Sequence, residues 1–403
     1  MNKARERSLI RITAIVMAFA LPMMIIAAED LPVLTGKVVE VQKYGNLTMD
    51  LEPKDLYDAG FELGDILNVT VGDLTLKIPF CTSYSDVDTG SLVVRDDQKN
   101  NLLVVAINMG NFATKYNVKA GDTLSFSLNE KAGYLSEYLI RQLKRTNVRS
   151  DYATDSIFAN FRSIATTGIK PGVIYRSSNP INNEIGRAAY ADALCRAVGI
   201  QTVINLSDSN EDIAKYLSAP GFKSDYYKSL LDSGKVVALN MGVDILGTDF
   251  AAKFAQGVRF IIANDGPYLI HCTEGKDRAG FVSAVLEALM GAELQEIVAD
   301  YMKSYENYYG VKTGSDQYDA IANSNIVASL TTAMCGLAKG VDISGINLSK
   351  FAEWYLLSIG LKQGEINALK AKLSAEPMVK EPWIKGKVTQ IEKYGHALAD
   401  ITI

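Results

Sequence analysis

The sequence predicts an α/β protein: a mainly parallel sheet flanked by helices, plus a small N-terminal all-β domain. Three observations carry that expectation. Strand-like and helix-like runs alternate over 157–375, the pattern of a parallel sheet with right-handed crossovers. Short β-like runs punctuated by Gly-Asp pairs fill 31–130. Between Pro267 and Met290 an apolar run, a tight polar loop and a helical pattern follow one another directly.

Composition sets bounds. A chain of 403 residues suggests two or three domains, and a net charge of -5 gives no basic footprint for nucleic acid. The four cysteines, Cys81, Cys195, Cys272 and Cys335, are widely spaced, which argues against a zinc site or a disulfide framework. His271 and His396 are the only histidines, too few for a His-built metal centre. No metal or organic cofactor is expected.

The chain opens on Lys3, Arg5, Arg7 and Arg11, then runs almost wholly apolar from Ile12 to Ala28. Ala27-Ala28 before Glu29-Asp30 fit a signal-peptide cleavage site. The competing reading of 1–28 is an uncleaved anchor, although about 17 residues interrupted by Pro22 is near the short limit for a span. Either way the protein is expected to be exported, secreted or membrane-anchored facing outside.

In 31–130, β-like runs cover Lys37 to Val41, Leu47 to Leu51, Ile66 to Val71, Leu74 to Ile78, Leu92 to Arg95, Leu102 to Ile107 and Thr123 to Leu128. A small barrel or sandwich follows. Tyr84, Asp86 and Asn108 either line a ligand groove or are turn residues with local hydrogen bonds, the simpler account. Gly386 to Gly395 echoes Gly36 to Gly45, so 384–403 reads as a hairpin repeating 34–53. A lone hairpin is marginal in water, so it is expected to pack on something.

The stretch 131–156 reads as a linker helix, with Leu135, Leu139, Ile140 and Leu143 on one face. Its basic end, Arg141, Lys144, Arg145 and Arg149, reads as a solvated face.

In 157–375 the expected order is a strand at Val173 to Tyr175, a helix from Glu184 to Val198 closed by Gly199, and a strand at Thr202 to Leu206. A strand at Val236 to Met241, a Gly-rich loop and a helix at Phe250 to Ala263 come next. Then comes His271-Cys-Thr-Glu-Gly-Lys-Asp-Arg-Ala-Gly280. A loop entering a helix N-terminus offers amides and partial positive charge to a phosphate dianion. That field also favours a nucleophilic thiolate at Cys272. Arg278 is placed to grip phosphate oxygens in a bidentate fork. Thr273, Glu274, Gly275, Lys276 and Asp277 form the substrate-binding loop, with His271 as its support. The chemistry proposed is a thiolate attacking phosphorus.

These residues resemble the Cys-x5-Arg signature loop of the protein-tyrosine-phosphatase superfamily. The form His-Cys-x-x-Gly-Lys-Asp-Arg is most similar to the bacterial tyrosine phosphatases of the dual protein and lipid phosphatase type. Asn160-Phe-Arg162, the Pro171-Gly to Arg176-Ser-Ser178 stretch, Ala299-Asp-Tyr301 and the tail from Gly360 to Leu373 match further landmarks. The resemblance implies a tyrosine-phosphatase-like fold and a phosphocysteine intermediate. It also implies a general acid Asp from an upstream loop, with Asp244 the first choice and Asp249 the second; Asp277 is placed to assist or to order water. A Lys at position 276 accompanies phosphoinositide as well as phosphotyrosine activity in the superfamily; otherwise it points to solvent or pairs with Glu274. Arg162 and Arg176 either pair with carboxylates near the site or hold the sheet. Tyr301, Tyr305, Tyr308 and Tyr309 wall a groove or fill the core.

Two departures stand out. Ala279 occupies the place of a Ser or Thr whose hydroxyl helps the thiolate leave, so slower breakdown of the phosphocysteine is expected. Leu206-Ser-Asp208 replaces a more usual Asp-Leu-Arg. In the β-domain, Gly36 to Leu51, Tyr84 to Gly90 and Asn108 to Asp122 resemble the C-terminal domain of the S-adenosylmethionine hydroxide adenosyltransferases; no adenosine-handling residue carries over.

The leading expectation is an exported cysteine-dependent phosphomonoesterase. Its substrate is a phosphotyrosine protein, a phosphoinositide or a soluble inositol phosphate. Membrane attachment through the N-terminal segment is open. The alternatives are a phospho-ligand-binding module with weak turnover, and a protein whose β-modules are its main business.

Overall fold

The computed structural model describes residues 31–374. The leader read at 1–28 and the repeat hairpin at 384–403 lie outside the described residues.

Seven strands close into a barrel: β1 Leu34–Val41, β2 Leu47–Met49, β3 Ile66–Val71, β4 Leu74–Cys81, β5 Leu92–Asp97, β6 Leu102–Ile107 and β7 Thr123–Glu130. Their order is β1-β2-β6-β5-β4-β3-β7, and closure leaves no edge exposed. The pairings are antiparallel except β4 on β5, which run parallel. Alternation fills the inside: Leu67 and Val69 of β3 and Leu124 and Phe126 of β7 are wholly buried. Each such side chain contributes about 1.5–3 kcal/mol of burial. The Gly-Asp punctuation has a local cause. Asp65 and Asp122 each accept from the amide three residues back, Glu62 and Lys119, both at 2.8 Å, and so close the turn before the next strand.

The longest helix of the linker, α1 Leu135–Arg141, is shorter at both ends than the sequence suggests. It seats on the barrel. The Tyr134 hydroxyl donates to the Asp86 carbonyl at 2.9 Å, Gln142 Nε2 to Asp86 Oδ1 at 2.8 Å, and Arg141 pairs with Asp88 at 2.8 Å.

The second sheet has five strands: β8 Arg162–Ser163, β9 Ile174–Ser177, β10 Thr202–Asn205, β11 Val236–Ala238 and β12 Tyr268–His271, in the order β11-β10-β12-β9-β8. β11, β10, β12 and β9 run parallel, and the two-residue β8 pairs antiparallel at the edge. Strand period divides the core. Ile174, Ile204 and Ile270 enter one cluster, while Tyr175, Val203 and Leu269 enter the other. The covering helices are α2 Ala188–Val198, α3 Asn210–Leu217, α4 Asp225–Asp232, α5 Thr248–Ala263, α6 Arg278–Met290, α7 Leu294–Tyr309, α8 Asp316–Ala322, α9 Leu348–Ser358 and α10 Gln363–Ser374. Ala279 to Leu289 of α6 are all buried, so this helix lies in the domain centre rather than on its surface. The other side of the linker meets this domain, with Gln317 of α8 donating to the Leu139 carbonyl at 3.4 Å. Among the described residues, no helix is long and apolar enough to cross a membrane.

Three sequence expectations need correction. The helix expected from Glu184 begins at Ala188, because Gly186 takes a positive φ of 73° in the turn before it. The strand expected through Met241 stops at Ala238, because Asn240 takes a positive φ of 45° that ends the pleat. The basic end of the linker is not a solvated face. Arg141 pairs with Asp88, Arg149 with Asp155 and Arg145 with Glu274, so only Lys144 among the four is exposed without such a pair.

Candidate active site

The central strand β12 ends at His271, and the chain then turns through Cys272 to Asp277 before α6 begins at Arg278. Position follows from topology, since ligands gather at the carboxyl ends of parallel strands. The Cys272 residue is only 2% exposed, at the base of the loop.

Four consecutive carbonyls of the loop are bonded from outside. Thr273 O accepts the Asn179 amide at 3.1 Å. Glu274 O accepts the Tyr308 hydroxyl at 2.7 Å and Asn160 Nδ2 at 3.1 Å. Gly275 O accepts Arg176 Nη2 at 2.8 Å, and Lys276 O accepts the same nitrogen at 3.0 Å. Carbonyls held from outside in this way leave the amides of the loop as the donors for an anion, the principle of a nest. Gly275 is obligatory here: its φ is +68°, and a Cβ would stand 2.2 Å from the Ser177 carbonyl oxygen. A Cβ on Gly280 would stand 2.6 Å from the Tyr301 ring, so α6 passes α7 closely.

Arg176 is held in turn. It is fully buried and pairs with Asp300 at 2.6 Å, while Arg162 pairs with the same carboxylate at 2.8 Å. Burial works to raise the Asp300 carboxyl, but the two guanidiniums hold it down at about 2. Neighbouring Glu287 has the opposite fate. Burial first, and then Asp300, push it well above its ordinary value. The landmark Asp300 thus anchors the cradle from behind.

Arg278 donates to Met241 O at 2.9 Å and to Thr273 Oγ1 at 3.1 Å, which fixes its guanidinium across the mouth of the loop. A cavity of about 240 Å³ opens beside it, lined by Asp277, Arg278, Phe281 and Tyr301, by Val243 and Ile245, and by Ser324 to Ile326 with Ser329. Asp244 is exposed on the loop carrying Val243 and Ile245, with its Oδ1 accepting the Leu246 amide at 3.2 Å. Asp249 lies in the first turn of α5, 68% exposed, and pairs with Lys253 at 2.8 Å. Asp277 borders the cavity, where desolvation raises its carboxyl, against the pull of Lys276 and Arg278.

Lys276 is turned onto Glu274 at 3.3 Å, over the rings of Tyr305 and Tyr309 at 5.1 and 5.4 Å. Burial works to lower its ammonium, but Asp277, Tyr305 and Glu274 raise it above its ordinary value. His271 is wholly buried, with its ring edge-on to Tyr227 at 5.9 Å. Burial pushes it down to about 4, with Asp208 opposing, so it is neutral at ordinary pH. Asp208, in the departing Leu206-Ser-Asp segment, accepts from Asn179 Nδ2 at 2.7 Å and Asn205 Nδ2 at 2.9 Å. That places it behind the Asn179 amide that holds Thr273.

A family model described as tyrosine phosphatase family matches residues 156–375, more than half of the chain. The chain belongs to the tyrosine phosphatase family. With that it is a hydrolase of phosphoric monoesters. A tyrosine-protein phosphatase of Nostoc commune is 28% identical over 226 residues, 47% of this chain and 72% of that one. Triple specificity protein phosphatase PtpB of Mycobacterium tuberculosis is 26% identical over 190 residues, 37% of this chain and 67% of that one. An uncharacterized conserved protein of Thermotoga maritima, solved as a crystal structure, is 28% identical over 23% of this chain, with a TM-score of 0.23; this chain spans 35% of its length. A second family model, the SAM hydroxide adenosyltransferase C-terminal domain, matches residues 36–125 of the barrel.

Sequence reasoning identified the loop and missed much of its support. The sequence presents Arg145 as a solvated charge, yet it meets the loop at Glu274. The cavity wall at Ser324 to Ile326 and Ser329 carries no motif in the sequence. It lies on one π-helical turn, Asn323–Val327, and just before a second, Leu330–Met334, a wound form that recurs at functional sites. Their one sequence signal is a run of small and polar residues where no helix boundary is marked.

Proposed function

We propose that this chain is an exported cysteine-dependent phosphomonoesterase that acts through a phosphocysteine, with phosphotyrosine in protein as its leading substrate. The observation that carries the reading is the outward capture of the Thr273 to Lys276 carbonyls with Arg278 fixed across the loop. Such a cradle stabilises charge developing on the equatorial oxygens of a transferring phosphoryl group. The Cys272 Sγ bonds to phosphorus as the ester P–O bond breaks, and the leaving oxygen takes a proton from Asp244. Water then attacks phosphorus and returns a proton to the Asp244 carboxylate, the P–S bond breaks, and inorganic phosphate departs from a restored thiolate. Asp277 takes the place of Asp249 as the second candidate donor, because it borders the cavity while Asp249 stands exposed and paired with Lys253. The apolar flank of the cavity, Val243, Ile245, Phe281, Tyr301 and Ile326, suits an aryl ester.

A second reading, phosphoinositide or inositol phosphate hydrolysis, is favoured by the Lys276 ammonium beside the cradle. The test is phosphate release from phosphotyrosine peptide, phosphoserine peptide, a phosphoinositide panel and inositol hexakisphosphate, each beside Cys272→Ser. Release from phosphotyrosine that vanishes in the variant supports the reading. No release from any substrate, with phosphorylated ligand still bound, moves the protein to a binding module. Export rests on the basic-apolar leader. Fractionation of the native host decides it, and recovery only from the cytoplasm would contradict it.

A further inference from the structure

The linker that joins the barrel to the catalytic sheet ends on the signature loop. Arg145 pairs its guanidinium with the Glu274 carboxylate. It also lies over the Tyr308 ring at 5.1 Å, and the Tyr308 hydroxyl donates to the Glu274 carbonyl at 2.7 Å. Side chain and main chain of one loop residue are therefore held by two groups that stack on each other. The Arg145 side chain is only 17% exposed, so the pair is shielded from salt more than a surface pair is.

The charges explain why this matters. Glu274 brings a full negative charge into a loop that has to receive a dianion. Its other partner is Lys276 at 3.3 Å, an ammonium that also stands 3.9 Å from the Asp277 carboxylate and 3.4 Å from the Tyr309 hydroxyl. Burial works to raise the Glu274 carboxyl, but Arg145 and then Lys276 hold it below its ordinary value, so it stays ionised. With Lys276 as its one neutralising partner, Glu274 would cancel the field that Lys276 offers to phosphate. Arg145 neutralises Glu274 from the far side instead.

Arg145 does not hang free. Just before it, Gln142 and Arg141 are bound to Asp86 and Asp88 of the barrel. Just after it, Arg187 of the catalytic domain donates to Thr146 O at 3.1 Å and to Asn147 Oδ1 at 3.2 Å. The chain on both sides is anchored, and Arg145 is delivered at a fixed height.

We propose that Arg145 is a positioning residue for phosphate binding: it neutralises Glu274 and leaves Lys276 to the incoming phosphate, so the barrel and linker complete the active site. The inference rests on the phosphatase reading above and is tested separately from it. In the full chain, Arg145→Gln, Arg145→Lys, Glu274→Gln and the double variant Arg145→Gln/Glu274→Gln are compared. The readouts are kcat and KM on an aryl phosphate, tungstate affinity in a Cys272→Ser background, and thermal unfolding.

Arg145→Gln is expected to raise KM and weaken tungstate about five- to tenfold, the scale of one lost charge interaction, with kcat within about twofold. Arg145→Lys is expected to keep most of the affinity. The double variant is expected to recover it, because the uncompensated carboxylate is gone. Unchanged KM and tungstate affinity in Arg145→Gln, or a defect that Glu274→Gln does not repair, overturns the proposal. If Arg145→Gln does not fold, the Glu274→Gln single variant decides. Tighter tungstate supports the proposal, and equal or weaker tungstate overturns it. Wild-type protein that shows this tungstate pattern but releases no phosphate refutes the phosphatase reading and upholds the positioning one. Wild-type protein that turns over, with Arg145→Gln indistinguishable from it, does the reverse.

Discussion

Two polar loops stand at the ends of the two sheets, and they discharge their polarity in opposite directions. In the barrel turn, Asp86 accepts from Thr82 N at 3.1 Å, Thr82 Oγ1 at 3.0 Å, Ser83 N at 2.7 Å and Gln142 Nε2 at 2.8 Å. The Tyr84 hydroxyl takes Asn46 Nδ2 at 3.1 Å, and Asn108 Nδ2 gives to the Val87 carbonyl at 2.9 Å. The three residues that the sequence offers as a groove lining are thus engaged with their own neighbours. In the signature loop the carbonyls are drawn away by Asn160, Arg176, Asn179 and Tyr308, and the end of the loop, Asp277 and Arg278, borders the cavity. A count of polar residues does not separate these loops. The direction in which their hydrogen bonds point does.

The comparison breaks first at Asp300. Asp300→Ala strands two buried guanidiniums, a loss of about 3–5 kcal/mol, and is expected to lower the unfolding midpoint and abolish phosphate release together. A variant with normal stability and activity would show that the cradle is not held from behind. Asp300 also sets a pH limit. Its folded value of about 2 lies below the ordinary 3.8, so its contribution is present above about pH 4 and is lost as pH falls toward 2. A stability–pH curve for Arg176→Met, in which that slope shrinks, checks the assignment.

The next effect belongs to the proton donor. Asp244→Asn is expected to lower kcat on a phosphotyrosine peptide by about 10²–10⁴ and to flatten the basic limb of the pH–rate profile. The same outcome from Asp277→Asn, with Asp244→Asn near wild type, would move the acid into the signature loop itself. Ala279→Ser is expected to be smaller and opposite in sign. A hydroxyl beside the thiolate should speed breakdown of the phosphocysteine by about three- to tenfold, read as a smaller burst in rapid-quench kinetics. An unchanged burst would mean that breakdown does not limit turnover. Smallest is Asp86→Ala, expected to destabilise the barrel by about 1–3 kcal/mol in urea titration. No shift of the midpoint would say that this turn is not structural after all.

Much of this was legible in the sequence because the signals were local. The seven barrel runs fall within the observed strands or extend them by a residue or two at their ends, since β-branched residues and Gly-Asp turns act over a few positions. Cys272, Arg278 and the Asp300 landmark were marked by order alone. What was missed depends on distance. Arg145 looks like a surface charge until folding sets it against Glu274. The outward pull on the loop carbonyls comes from Asn160, Arg176, Asn179 and Tyr308; the sequence marks all but Asn179, yet nothing local says that they hold the loop. The helices α3 and α4 also went unread, although Ser209 and Asp212 form a capping box that announces the first of them.

The most direct test of the central claim is acid-quench mass spectrometry of wild-type protein during turnover of an aryl phosphate. The account predicts one phosphoryl group on the peptide containing Cys272, and none in Cys272→Ser. Phosphate released at an undiminished rate by Cys272→Ser, or a phosphoryl group trapped on any other residue, would contradict it.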